Sequence, residues 1–220
     1  MIPMKAHALP KSLSAPRLQA VILAAGFSSR LGSPKAMARV GAQSLLRRTI
    51  ALASSLKPAQ ILIVVPRRAS SYRTQARGFK VIFAANPHRA DGLSSSVRRG
   101  LSKARFSAAA LLLPVDLAAL RRRDIVRLIS RWRARRRCVV ARRLGGADDL
   151  PRGGVPLILP RWLYSRAQGV TGDIGLRGLV SGLPPSQRIL LPLESAALDV
   201  DTPCDLRTAR RRLRAFGARL

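Results

Sequence analysis

Residues 21–35, VILAAGFSSRLGSPK, run a short apolar strand straight into small residues and then place Arg30 and Lys35 beyond them. A strand that ends in Ala24, Ala25 and Gly26 leaves its backbone N–H groups unblocked by bulky side chains. Such a turn forms an anion-binding concavity at the carboxyl edge of a sheet. Arg30 can fork two hydrogen bonds to phosphate oxygens, and Lys35 adds a compact, mobile charge. The stretch has neither the GK[ST] of a P-loop nor the GxGxxG of a dinucleotide fold. It therefore predicts an anion without naming it: a nucleotide and a nucleic-acid backbone both remain open.

The same strand style recurs along the chain. LQAVILAA (18–25), QILIVV (60–65), KVIFAA (80–85) and AALLLPVD (109–116) are continuous apolar runs, as strands buried on both faces of a parallel sheet should be. Between them, QSLLRRTIALASSL (43–56) and LSSSVRRGLSKA (93–104) space their apolar residues three and four apart, which predicts amphipathic crossover helices. RRRDIVRLISRWRARRR (121–137) carries Ile125, Leu128, Ile129 and Trp132 on one stripe with Arg over the rest, a surface helix with a cationic face. CVVARRL (138–144) reads as a strand, GGADDLPRGG (145–154) as a turn, and VPLILP (155–160) as a returning strand. Residues 190–216 close with a strand, an acidic turn and a basic helix. Strands alternating with helices predict a three-layer α/β/α architecture on a mostly parallel, Rossmann-like sheet. Residues 1–17 are expected to form a basic, loosely ordered extension, and residues 18–220 one domain, a size one core can fill.

Charge is the extreme feature: 41 Lys and Arg against 10 Asp and Glu, a formal net charge of +31. Such a field draws polyanions and phosphorylated ligands. A hydrophobic content of 47% excludes global disorder. Aromatics at 4% leave no stacking platform for single strands, so nucleic acid is not expected as a partner. Cys138 and Cys204 stand far apart, and His7 and His88 are too few for a histidine cluster, so any metal must be held by oxygen. The N-terminal residues lack a continuous apolar core and no window is long enough to span a membrane, which together predict a cytoplasmic protein.

Acidic residues are scarce, which makes their positions informative. Asp116 follows ALLLPV, where an unpaired carboxylate is costly unless it caps a turn or binds metal. Asp173, Asp199, Asp201 and Asp205 all lie in the late segments. Asp116 and Asp201 are expected to meet at the carboxyl edge of the sheet around Mg²⁺ or Mn²⁺, a cation satisfied by few carboxylates plus phosphate oxygens and waters. Asp205, in TPCDL, suits the first turn of the last helix.

LAAGFSSRLGSPK resembles the LAAGxSxRMGxxK signature of nucleotidyltransferases that make molybdenum cofactor dinucleotides, sugar nucleotides and cytidyl-diphospho-isoprenoid precursors. NPHRADGLSSSVRRGL (86–101), LLLPVDLAAL (111–120), GGVPLILP (153–160), TGDIGLRGLV (171–180) and LDVDTPCDL (198–206) match further segments in the expected order. Together they resemble molybdenum cofactor cytidylyltransferases, of the MobA-like NTP transferase family, over roughly residues 18–210. The resemblance implies the nucleotide-diphospho-sugar transferase type of fold and a Mg²⁺-dependent transfer of CMP from CTP to a phosphorylated pterin such as molybdopterin. It implies Leu23, Ala24, Ala25, Gly26, Arg30, Lys35, Asn86, Gly92 and Ser96 at the nucleotide, with Arg30 and Lys35 catalytic. It gives Asp116 and Asp201 the metal, and Gly154, Pro156, Asp173 and Asp199 the acceptor side. A molybdoenzyme or its chaperone would be a fitting protein partner. Ala25 points to CTP, since guanylyl relatives usually read Leu-Ala-Gly-Gly. Two departures, Leu117-Ala118 where relatives read Gln-Pro and Val155 where they read His or Asn, keep other acceptors open, a sugar phosphate or an isoprenoid alcohol phosphate. A basic binding protein on the same scaffold is the alternative of a different class.

Overall fold

The apolar run that opens the signature becomes β1 (Leu18–Leu23), buried along nearly its whole length. A two-stranded ribbon, β2 (Arg39–Val40) with β3 (Gln43–Ser44), leads into α1 (Leu45–Ser55). Ser44 caps that helix, its Oγ accepting from Arg47 N. There follow β4 (Gln60–Val65), α2 (Ser70–Gln75), β5 (Ile82–Ala85), α3 (Leu93–Lys103) and β6 (Ala109–Pro114). The second half runs α4 (Arg122–Ala134), β7 (Val139–Leu144), β8 (Arg152–Pro160), α5 (Tyr164–Gln168), α6 (Gly175–Ser181), β9 (Arg188–Leu191) and α7 (Pro203–Gly217). This computed structural model describes residues 17–26, 28–104, 107–145, 151–169, 171 and 175–217. The N-terminal extension expected over 1–17 thus lies outside the described residues except for Arg17, and so do residues 146–150 of the turn expected at 145–154, whose last three residues instead begin β8.

Seven strands form one sheet in the order β5-β4-β1-β6-β8-β7-β9. β5, β4, β1 and β6 are parallel, β8 is antiparallel to both β6 and β7, and β9 pairs parallel with β7. Strand alternation sends neighbouring residues to opposite faces. Ala20, Ile22, Ile61, Ile63, Leu111 and Leu113 pack with α1, α2 and α4 on one side. Val21, Leu23, Leu62, Val64, Ala110 and Leu112 pack with α3, α5 and α6 on the other. The three-layer architecture expected from the sequence is the one observed. The stripe of α4 is buried as its spacing predicts, with Trp132 only 1% exposed.

α3 lies unusually close to β1. A Cβ added at Gly100 would fall 2.5 Å from Val21 Cγ1 and 3.4 Å from Val64 Cγ2. Gly100→Ala is therefore expected to lower the melting temperature: overpacking costs about 1–3 kcal/mol, against about 1 kcal/mol of helix propensity regained. A thermal melt equal to or above wild type would contradict this packing.

Candidate active site

A cleft of 640 Å³ opens at the carboxyl ends of β1 and β6, the edge where open parallel sheets bind ligands. One wall is the signature loop: Leu23, Ala24, Gly26, Ser28, Arg30 and Lys35 line it. Gly26 is exposed, and a Cβ there would meet nothing within 4 Å. The loop is drawn back on itself by Ser28, whose Oγ accepts from Lys35 N at 2.6 Å. Arg30 is exposed on a short helical turn, Ser29–Leu31, with no carboxylate partner among the described residues.

Asp116 stands two residues past β6. Its carbonyl accepts from Ala118 N at 3.0 Å and from Val200 N at 2.9 Å, and Leu117 forms a bridge with Asp199. Those backbone bonds lay residues 199–201 beside the end of β6, so two carboxylates more than eighty residues apart in sequence reach one place. Asp201 is held from the other side by the start of α7. Asp205 accepts from Asp201 N, from Thr202 N at 2.8 Å and from Thr202 Oγ1 at 2.8 Å, while Asp205 N donates to Thr202 Oγ1. This is a reciprocal cap, and those hydrogen bonds hold the Asp205 carboxyl below its ordinary range. Asp205 is thus a helix-capping residue, as its place in TPCDL suggests.

Asp116 and Asp201 converge on one cation, the ammonium of Lys35. Its Nζ lies 3.5 Å from Asp116 Oδ2 and donates a hydrogen bond to Asp201 Oδ1. Burial pushes the Asp116 carboxyl up, Lys35 opposes this, and the charges of Asp199 and Asp201 add to it. Burial works against the Lys35 charge, yet the Asp201 hydrogen bond and the two carboxylates prevail and raise its pKa above 10.5. Asp199 is engaged elsewhere, by Arg142 Nη1 at 3.1 Å. Among the described residues no cluster of three or more His, Cys, Asp or Glu side chains could hold a metal. The donor set at the head of the cleft is therefore two carboxylates facing a point already taken by a cation. That set fits Mg²⁺, which binds through one or two carboxylates and completes its shell with substrate phosphates and water.

The opposite wall is formed by Leu144, Gly153, Gly154, Val155 and Leu176, with Arg142 and Arg177 among them. Gly92 and Ser96 line the cleft between the walls, together with Arg89. Three expected site residues are not brought to the surface of the cleft. Ala25 is fully buried in the core beneath α3. Asn86 is 2% exposed, and its Nδ2 donates to Ser95 Oγ at 2.8 Å and Ser96 Oγ at 3.1 Å while its Oδ1 accepts from His88 N. With both amide donors used, Asn86 orients the Ser96 hydroxyl and offers a ligand no free donor. Pro156 is buried behind Val155, following a cis peptide bond. Asp173 lies outside the described residues.

Arg142 was not singled out by the sequence, where it is one of two Arg in CVVARRL. The register of β7 on β8 slips between Ala141, opposite Leu157, and Arg142, opposite Gly154, with Val155 and Pro156 of β8 as the extra residues, and Arg142 stands with Gly153 and Gly154 on the cleft wall. Ser28 and Arg177 stand at motif positions of the resembling segments LAAGFSSRLGSPK and TGDIGLRGLV without a role being read for them, while Arg89 was missed because Arg is abundant in this chain and no spacing distinguishes it.

The sequence model of the MobA-like NTP transferase domain matches residues 20–188. No curated protein matches the chain. Among solved structures, Rv0371c from Mycobacterium tuberculosis H37Rv is 25% identical with a TM-score of 0.72, covering 90% of this chain and 100% of its own. A second structure of Rv0371c is a complex with manganese (23% identity, TM-score 0.67, 89% of this chain and 98% of that one). The 2-C-methyl-D-erythritol 4-phosphate cytidylyltransferase of Thermus thermophilus shares the fold at 21% identity and TM-score 0.65, over 89% of this chain and 98% of that one. So does the molybdopterin-guanine dinucleotide biosynthesis protein A of Archaeoglobus fulgidus, at 14% identity and TM-score 0.65, over 90% and 99%. A signature loop, a two-carboxylate head and a family match over most of the chain agree: this protein belongs to the MobA-like NTP transferase domain family and is a nucleotidyltransferase.

Proposed function

We propose that the protein transfers CMP from CTP to a phosphorylated pterin, molybdopterin, and releases pyrophosphate. The observation that carries the reaction site is the convergence of Asp116 and Asp201 on Lys35 at the head of a cleft whose wall is the signature loop. Bound divalent metal, Mg²⁺ or Mn²⁺, would be held by Asp116 and Asp201 and would neutralise phosphate charge there. Gly26 and its neighbours leave room for the β- and γ-phosphates, and Arg30 lies on the same loop to bind them. Lys35 shifts from the carboxylates to the phosphates as these arrive, and balances the charge that develops on the departing pyrophosphate.

An oxygen of the acceptor's terminal phosphate forms the new bond to the α-phosphorus in line. The bond from the α-phosphorus to the bridging α–β oxygen breaks, and pyrophosphate leaves with that electron pair. No covalent enzyme intermediate and no proton transfer are required, so the work is positioning and charge neutralisation. Arg142, steadied by Asp199, and Arg177 lie on the acceptor wall, where a phosphate would be drawn.

The choice of CTP rests on the resemblance of the Ala24-Ala25-Gly26 loop to that of cytidylyl relatives, although Ala25 itself is buried and does not line the cleft. The choice of pterin rests on the resemblance and on the family. A second acceptor, the phosphate of an isoprenoid alcohol, is favoured by the apolar side chains of Leu144, Val155 and Leu176 on that wall. Pyrophosphate release measured across the four NTPs, with and without molybdopterin, separates these readings. Release with CTP that depends on molybdopterin is expected. Release with GTP alone would refute the base, and CTP turnover with an isoprenoid alcohol phosphate but not molybdopterin would refute the acceptor.

A further inference from the structure

The end of the sheet away from the cleft carries three consecutive arginines, Arg135, Arg136 and Arg137, in the turn between α4 and β7. Each of their carbonyls is bonded inward. Cys138 N donates to Arg135 O at 2.9 Å, Trp132 Nε1 to Arg136 O at 3.2 Å, and Trp162 Nε1 to Arg137 O at 2.9 Å. Both tryptophans of the chain thus use their indole N–H to fix this turn. With the carbonyls held inward, all three arginines are exposed.

Arg131 and Arg133 in the last turn of α4 and Arg161 beside Trp162 are exposed as well. Among the described residues none of these six arginines pairs with a carboxylate. The described acids lie at the opposite end of the sheet: Asp91 follows β5, Asp116 follows β6, Asp124 opens α4, Glu194 follows β9, and residues 199–205 run beside Asp116. The dipole of α4 favours a cation at its last turn, but that effect fades before Arg137 and Arg161. Repulsion within this cationic end is therefore left for a polyanion to relieve. Trp162 is 41% exposed, and since its N–H is engaged, the indole offers a partner its hydrocarbon ring.

We propose that this end of the molecule, a strand's length from the cleft, binds a single-stranded nucleic acid. Planar guanidiniums fork onto phosphates, and an unstacked base finds a π-face on Trp162 between Arg137 and Arg161. An aromatic content of 4% does not predict such a site; the fold makes one by setting its exposed indole among arginines. An acidic peptide would pair with the guanidiniums and leave the indole unused. A bilayer would need several apolar side chains on one surface. Among the described residues the other exposed large hydrophobic is Ile82, on β5, four strands away from β8.

Fluorescence anisotropy at constant protein and varied salt tests the site with three labelled strands of about twelve nucleotides, a span such sites cover. The strands are oligouridylate, oligodeoxythymidylate and an abasic strand of equal charge. A strand with bases is expected to bind about tenfold more tightly than the abasic one, and the tighter of the two names RNA or DNA as the occupant. Trp162→Ala should abolish that preference, whereas Trp162→Phe, which loses the N–H and keeps a ring, should retain most of it. Arg135→Gln, Arg136→Gln and Arg137→Gln together should weaken all three strands and lower the salt slope by about 2, since each single-strand phosphate contributes about 0.7. Arg207→Gln, Arg211→Gln and Arg214→Gln remove equal charge from an exposed stripe of α7 and should have a far smaller effect. Binding should persist in excess CTP and Mg²⁺ at matched ionic strength, which separates this site from the cleft. No binding, equal affinity for abasic and base-bearing strands, equal losses in the two triple variants, or displacement by CTP would overturn the proposal.

Discussion

Asp116→Asn is expected to reduce turnover about 10³-fold, the upper end of what removal of a preorganised electrostatic group costs, with a melting temperature within a few degrees of wild type. The carboxylate sits in a segment whose backbone is fixed by its own bonds to Ala118 and Val200. Asn keeps that shape and removes the charge. Because burial raises the Asp116 pKa, its ionised form is held at a cost in the folded state. A folded carboxyl whose pKa is raised stabilises the protein as pH falls through that value, and at neutral pH its charge is a burden. The amide relieves this burden and gives up the pairing with Lys35, two effects of opposite sign. Steady-state kinetics beside thermal melts decides the matter. An Asn variant that keeps a tenth of its turnover would remove Asp116 from the metal.

Lys35→Met is expected to lower kcat by about 10²-fold or more and, in the absence of nucleotide, to raise the affinity for Mn²⁺. The second effect follows from geometry, since the ammonium occupies the point on which Asp116 and Asp201 converge. Methionine preserves the length of the stem and vacates that point. Mn²⁺ titration followed by electron paramagnetic resonance reads the free metal directly. Arg30→Met is the control, because it removes one positive charge from the same cleft and leaves Lys35 in place. Equal gains in the two variants would mean that only the general field had changed, and the competition between Lys35 and metal would be refuted. The raised pKa of Lys35 gives an independent sign. Its pairing stabilises wild type fully below pH 10.5 and is lost as pH rises through the higher folded value, a loss that Lys35→Met should not show.

How far the fold could be read in advance depended on burial. Runs such as QILIVV and AALLLPVD are apolar on both faces because both faces are covered, which marks central strands; it does not fix their direction, since VPLILP is as apolar and β8 runs antiparallel to both neighbours. α4 was legible for the complementary reason: a single buried stripe of Ile125, Leu128, Ile129 and Trp132 faces one way. The ribbon β2–β3 and α2 were not, since two-residue strands and a short polar helix carry no period to detect. Within the site, scarcity helped. With 10 acidic residues in the chain, Asp116 and Asp201 stood out, and the structure brings them to the same cation. The same logic failed for Arg, which is so abundant that Arg142 is indistinguishable from its neighbours in the sequence, although the structure places it on the cleft wall. Asn86 and Gly100 show a different limit. Both lie in a segment resembling a nucleotide-binding one, and both have structural work there: Asn86 fixes Ser96, and Gly100 lets α3 lie against β1. A resemblance marks such residues without saying whether they touch a ligand or support those that do.

The proposed reaction is defined by where the α-phosphate of the nucleotide goes. Incubation of the protein with CTP labelled with ³²P at the α-position, Mg²⁺ and molybdopterin, followed by separation of the products, answers this directly. The label should move into a pterin product that carries CMP, in step with unlabelled pyrophosphate, and should fail to move in Asp116→Asn. Label that stays in CTP, or that appears as free CMP with the pterin untouched, would contradict the proposed transfer.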